Sequence, residues 1–159
     1  MRVLGLWPPV LSLLQPSHAP SLRQMAAWVC STAVQNNAQA QQHLMEAGGL
    51  AKLLAAARED VDEGVCAKAV SALNSTLHNN APGQAQFAAL EGWQTILTLA
   101  ARGGNVMRKS LFMMATVLLE EGASARARIP NLRQSLHTLV NHTDLDDEMR
   151  EHCHRLLAL

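Results

Sequence analysis

Three kinds of helical pattern alternate along the chain. SLRQMAAWVCSTAV, VCAKAVSALNSTL and MRKSLFMMATVLL are apolar on nearly every side, which predicts central helices covered by neighbours rather than edge helices. GLAKLLAAAR and GWQTILTLA instead carry one stripe each: Leu50, Leu53, Leu54 and Ala57, then Trp93, Ile96, Leu97 and Ala100. Their i, i+3, i+4, i+7 spacing puts each set on one face of a third helix. Between the two kinds runs a short polar helix, bounded by twin asparagines before it and glycines after it. Asn36 with Asn37, and Asn79 with Asn80, are expected to stop one helix and cap the next, since Asn tolerates the left-handed conformation and accepts from free backbone donors. Gln39, three residues after Asn36, is placed to complete a capping box, and Pro82 falls in a first turn where its missing donor is harmless. Gly48, Gly49 and Gly92 end the short helix and start the third one.

The pattern is a repeat. A shift of 43 residues lays Ala26 to Ala57 on Ala69 to Ala100 without a gap, Asn36 and Asn37 falling on Asn79 and Asn80, and Gly49 on Gly92. Continued backwards, the shift sets Trp7 under Leu50 and Trp93, with Val10 and Leu11 under Leu53 and Leu54. A third copy opens at Lys109, aligned with Lys68, and decays after Glu121. A period in the low forties belongs to helical solenoids of the armadillo and HEAT type. The expectation is one all-α domain over 1–159, a right-handed armadillo-like superhelix of about three repeats plus a C-terminal capping helix. Its divisions are a third helix of a partial repeat at 1–15, repeats at 20–58 and 64–102, a divergent repeat at 106–141 and the cap at 143–159. The polar links REDVDEGV and RGGNVMR join the copies. TDLDDEMREHCHRLLAL begins with acids and ends near Arg155, the charge order that suits a helix dipole.

Composition agrees with helices on helices. Apolar residues make up 48% of the 159, aromatics only 3%, and there is no Tyr, so Leu, Ala, Val and Met must fill the core. Thirteen basic and thirteen acidic residues cancel, which leaves no electrostatic footprint for nucleic acid. Cys30, Cys66 and Cys153 are an odd, widely spaced set that suits buried thiols in a reducing compartment. No stretch reaches the ~20 apolar residues of a membrane span, so no membrane association is expected. VLGLWPPVLSLL followed by QPSHA fits a secretory signal as well as the repeat register.

Candidate chemistry is sparse. His152 and His154 point to different sides of a helix, which argues against a metal site. His43, His78, His137 and His142 are dispersed, and Trp7, Trp28 and Trp93 read as packing. With no acid and base pair, phosphate loop or metal cluster, no catalytic residue, no cofactor and no enzyme activity are expected.

In this register RQMAAWVCSTAVQNNAQAQQHLMEAGGLAKLL, Ala67-Lys68-Ala69, RKSLFMMATVLL and the terminal EHCHRLLAL resemble the armadillo core of the nucleotide-exchange factors of heat-shock protein 70 chaperones, the Hsp70-binding-protein family. The resemblance covers about Leu6 to Leu119 well and the rest loosely. It implies a co-chaperone whose curved solenoid grips the chaperone's nucleotide-binding domain and promotes ADP release by preferring its open form. The implied contacts are third-helix residues facing away from the stripe, Lys52, Glu59, Thr95, Thr98 and Arg102, joined by Lys68 and Lys109. The alternative is a generic armadillo interaction module without exchange activity. Without a KDEL-type ending the compartment is read as the cytosol, or the endoplasmic reticulum lumen if 1–19 act as a signal peptide. Relative to the family, Met1 begins almost directly in a third helix and a repeat is missing before the cap. That arrangement leaves Trp7, Val10, Leu11 and Leu14 open to water unless something covers them.

Overall fold

The computed structural model describes residues 5–121 and 129–158. The start of the 1–15 segment, residues 122–128 inside the divergent repeat and Leu159 lie outside the described residues. Within them are ten helices and no strand: α1 Trp7–Ser12, α2 Pro20–Val34, α3 Ala38–Glu46, α4 Gly49–Glu59, α5 Glu63–Leu77, α6 Ala81–Ala89, α7 Gly92–Ala100, α8 Gly104–Glu121, α9 Leu132–Val140 and α10 Asp147–Leu157. The shift of 43 residues carries both ends of α2 onto α5, and both ends of α3 onto α6.

Local chemistry sets these boundaries. Asn36 and Asn79 adopt the left-handed conformation, with φ of 52° and 51°. Asn37 and Asn80 then cap α3 and α6, their side-chain oxygens accepting from Ala40 N and Gly83 N at 3.0 and 3.1 Å. The cap is therefore the second asparagine of each pair, one residue later than a capping box between Asn36 and Gln39 requires. Asp62 and Asp146 cap α5 and α10 in the same way, accepting from Val65 N and Met149 N. Because Asp146 is the cap, α10 starts at Asp147, and 143–146 form a turn rather than the first residues of the helix. The turn into the third helix uses Gly48 in the left-handed region, φ 74°, but its counterpart is Glu91 at φ 56°. Gly49 and Gly92 are required for space instead: a Cβ at either would lie 2.4 Å from the side chain of Leu44 or the ring of Phe87.

The stripes are buried as the spacing predicts, with Leu53, Ala57, Ile96 and Ala100 all fully enclosed. Trp93 meets Phe87 edge to face, their ring centres 5.1 Å apart. Trp7, Leu11 and Leu14 are buried too, at 2%, 1% and 6% exposure, and Val10 is partly covered. The loss expected for this first stripe does not arise, since α1 turns it inward onto α2 and α4.

Two layers result. The central helices α2, α5 and α8 press side by side along their lengths, and α10 continues the row behind α8. The third helices α4 and α7 lie on α5 and α8 but touch each other only lightly. A stack whose one layer is tightly apposed and whose other layer splays bends toward the tight side. The central helices are thus the inner wall, and α1, α4 and α7 the outer one. Side chains stitch the inner row across the repeats: Ser31 to Ser75 at 3.0 Å, Asn74 to Thr116 at 2.6 Å, Gln24 to Asp62 at 2.9 Å.

One buried ion pair fastens the first link. Arg23 Nε and Nη2 donate to the two oxygens of Asp60 at 2.7 and 2.8 Å, with only 6% and 4% of the side chains exposed. The guanidinium also donates to His18 O, and Asp60 Oδ1 accepts from Asp62 N at 2.9 Å. Burial pushes the Asp60 carboxyl up, but the Arg23 bonds, the Asp62 N–H and the Arg23 charge outweigh it, so its pKa lies below the ordinary value. The same bonds raise that of Arg23.

Candidate partner-binding surfaces

The seven residues singled out from the sequence fall on two different faces. Lys52 and Glu59 rim a groove between α1 and α4 whose floor includes Leu11, Leu14 and Ala55. Thr95, Thr98 and Arg102 line the next groove, with Arg58, Gln94 and Leu99. Both grooves exist because the outer helices splay. The polar groups there are partly engaged by the protein itself: Thr95 and Thr98 donate to Glu91 O and Gln94 O at 3.4 and 3.0 Å, and Arg102 Nη2 donates to Arg58 O at 3.0 Å. A hydroxyl bonded one turn back along its own helix has less left to offer a ligand.

Lys68 and Lys109 stand on the inner wall, and there the structure reveals neighbours that the sequence reading assigned to packing. Trp28 is 52% exposed, Met25 50% and Phe112 42%. The expectation that Trp28 packs and that α2 is covered on nearly every side is corrected by these values. The repeat explains why the three belong together. Met25, Lys68 and Lys109 are equivalent positions, as are Trp28, Ser71 and Phe112, and again Thr32, Ser75 and Thr116. Every one of these nine is at least partly open to solvent. Three rows of matching side chains therefore run across α2, α5 and α8.

The rows are linked to each other. Lys68 Nζ sits 5.2 Å from the centre of the Trp28 ring, within reach of its negative face. At the far end Phe112 meets the His152 ring of α10, centres 6.2 Å apart and planes at 65°. Neither lysine has a carboxylate partner among the described residues. The wall thus offers aromatic and thioether surface, hydroxyls and two cations, an arrangement suited to holding another protein.

The thiols are not part of it. Cys30, Cys66 and Cys153 are buried and unpaired. Burial pushes the Cys30 thiol up to about 12 and that of Cys153 up to about 11. Cys66 is raised as well, and its Sγ lies 3.2 Å from Asp60 O. Such groups are poor nucleophiles at neutral pH. Among the described residues no three His, Cys, Asp or Glu side chains gather where a metal ion could be held, and no helix is long and apolar enough to cross a membrane.

Comparison with known proteins bears on both layers. The family model for the SIL1/FES1/HPBP1 C-terminal domain matches residues 3–139. The Hsp70 nucleotide exchange factor FES1 of Coccidioides immitis is 45% identical over 82 residues, 52% of this chain and 38% of that protein. That of Mycosarcoma maydis is 35% identical over 122 residues, 76% of this chain and 31% of its own. That of Yarrowia lipolytica is 30% identical over 151, covering 94% and 53%. The chain therefore spans about a third to a half of these relatives. Among solved structures, a designed armadillo repeat protein superposes with a TM-score of 0.79 at 18% identity, over 97% of this chain and 64% of its own. An engineered protein reaches 0.81 at 19% identity, over 96% and 61%. At that identity the likeness concerns the fold, which is armadillo-like.

Proposed function

Because the chain belongs to the SIL1/FES1/HPBP1 C-terminal domain family, we propose that it is a co-chaperone, an adenyl-nucleotide exchange factor that docks its inner wall on the nucleotide-binding domain of a heat-shock protein 70 chaperone. The observation that carries this reading is the solvent-open set Met25, Trp28, Lys68, Lys109 and Phe112 on a row of helices whose backs are locked into the core. A rigid wall supports exchange by a simple route. A partner shifts a conformational equilibrium only by binding one state more tightly, so a surface complementary to the opened cleft of the chaperone releases ADP without any catalytic group. Lys68 and Lys109 favour an acidic patch on the chaperone, and Trp28 and Phe112 supply the desolvated anchors in which interface energy concentrates. Lys52, Glu59, Thr95, Thr98 and Arg102, on the outer layer, fall outside this contact. The three buried free thiols support assignment to the cytosol, and an intact mass that retains Met1 to Ala19 is the expected result.

The test is direct. A chaperone loaded with labelled ADP is mixed with the purified chain, and label release is followed by stopped flow. Acceleration that saturates with chain concentration is expected. Binding without faster release at saturation would instead favour a plain interaction module, and the exchange reading would fail.

A further inference from the structure

The register of the central helices continues into α10. A shift of 39 residues lays Val106, Ser110, Met114 and Val117 of α8 on Leu145, Met149, Cys153 and Leu156, and all eight are buried. The same shift lays Lys109, Phe112 and Thr116 on Glu148, Glu151 and Arg155, and all six are at least partly open to solvent. Two contacts seat α10 on α8 in this register: the His152 ring meets Phe112, and Arg108 pairs with Asp146. Thus α10 takes the place of a fourth central helix, and the rows of the inner wall run on across it. Openness at these positions is a property of the wall and not of its ends. Lys68, Ser71 and Ser75 stay open on α5, although α5 has a central helix on either side.

Extended in this way, the wall changes chemistry in order. It presents Met25 and Trp28 on α2, Lys68 on α5, Lys109 beside Phe112 on α8, and Glu148 with Glu151 on α10. The opposite charges do not cancel. Lys109 and Glu148 hold matching places on neighbouring helices, yet among the described residues neither they nor Glu151 enters an ion pair. Packed helices lie about 8–10 Å apart, close to the Debye length of about 8 Å at physiological salt. Solvent ions therefore screen much of the attraction between the two strips, and each stays available to a charge set opposite it. The other charges near the start of α10 are already engaged: Asp146 caps the helix and holds Arg108, and Arg150 donates to Val140 O and Leu145 O.

We infer that Glu148 and Glu151 of α10 are docking residues that take a basic patch of the chaperone, next to the acidic patch taken by Lys68 and Lys109. The inference rests on the docking of the inner wall proposed above and adds a direction to it. A surface ordered apolar, cationic, acidic admits its partner one way round, because the reversed partner sets like charges against each other. Exchange needs that direction, since a wall favours the opened cleft only in the orientation in which the two surfaces match. Phe112, between Lys109 and Glu151, is then an anchor flanked by charges of both signs.

Binding of the full chain to an ADP-loaded heat-shock protein 70 chaperone, and the ADP release that follows, test it at low and at physiological salt. Glu148→Gln combined with Glu151→Gln is expected to weaken binding at least tenfold, flatten its salt dependence and leave the saturating rate of release within twofold. Glu148 lies in the first turn of α10, where a carboxylate also favours the helix itself. Glu151→Lys, beyond that turn, reverses a charge without this loss and should weaken binding as much by itself at an unchanged melting temperature. Glu148→Asp with Glu151→Asp keeps both charges and should bind within about twofold of the parent. Glu59→Gln, on the outer layer, makes the same kind of change in net charge and should bind as the parent does. Parent-like binding by the Gln pair and by Glu151→Lys overturns the inference. So does equal weakening by the Asp pair with the salt dependence intact, which marks a structural role. Trp28→Ala is measured alongside: if it is impaired while the α10 variants are not, this inference alone fails. If it too binds like the parent, or the parent does not bind, the docking reading falls with it.

Discussion

Lys68 of α5 holds its ammonium group over the ring of Trp28 on α2, 5.2 Å from the ring centre, so that a cation and an aromatic face from successive repeats present one surface to solvent. Neither is buried. An exposed cation–π contact contributes only about 0.5–1 kcal/mol, too little to be why a half-exposed Trp is tolerated on the wall of a small solenoid. On the function proposed above the pair is a contact for the partner, preoriented by the tight α2–α5 packing beneath it.

Trp28→Ala and Lys68→Glu should accordingly act on exchange more than on folding. Each is expected to raise the concentration needed for half-maximal ADP release at least tenfold, the effect of losing roughly 1.4 kcal/mol at an interface anchor. The melting temperature should move by no more than a degree or two. Lys52→Ala and Thr98→Ala, on the outer layer, should change release less than twofold. Stopped-flow release and calorimetric melting on the same four proteins check this, and an outer-layer variant as damaging as Trp28→Ala would relocate the site.

Acid stability should depend on Asp60. A carboxyl whose folded pKa lies below its unfolded value binds fewer protons in the native state, so its stabilisation is fully present above the unfolded value of about 4 and is lost as pH falls through the lower folded value. Melting temperature should therefore drop steeply below pH 4 in the parent. Asp60→Asn removes that titration and should flatten this part of the curve. At pH 7 the variant leaves Arg23 buried with a weakened partner, and melting should come roughly 5–10 °C lower.

The thiols should be silent until the fold opens. With Cys30 pushed to about 12 and Cys153 to about 11 by burial, a disulfide reagent at pH 7.5 should label neither in minutes under native conditions. All three cysteines should react at once in denaturant. Native labelling at the rate of a free thiol would mean that the central helices separate far more often than their packing implies.

The second asparagine of each pair should carry a measurable cap. Asn37→Ala removes the oxygen that accepts from Ala40 N and is expected to cost about 1 kcal/mol. Asn80→Ala should cost more, because its amide also donates to Thr76 O at 2.8 Å. Asn36→Gly and Asn79→Gly should be close to neutral, since glycine enters the left-handed region as readily as asparagine. Urea titrations of the four variants separate the two roles.

Much of the fold was legible along the chain because it depends on near neighbours. The asparagine pairs mark the turns by their own backbone preference and cap chemistry, and the i, i+3, i+4, i+7 stripes of α4 and α7 name the residues that end up enclosed. The shift of 43 residues brings whole helices into register before any coordinate is consulted. What the chain alone did not separate was the two apolar stripes of α2. Leu22, Val29 and Ala33 look no different in type from Met25 and Trp28, and hydropathy reports a preference for leaving water without saying which surface receives the side chain. Only the stacking of α2 on α5, with the outer helices splayed behind, sorts them into an end face and an inner wall. The same curvature sets Lys68 and Lys109, which the sequence did single out, on one wall with Trp28 and Phe112, which it did not, and leaves Lys52, Glu59, Thr95, Thr98 and Arg102 on the other layer, since which layer lies inside the bend is decided by how closely whole helices approach, a property no single stretch of sequence contains.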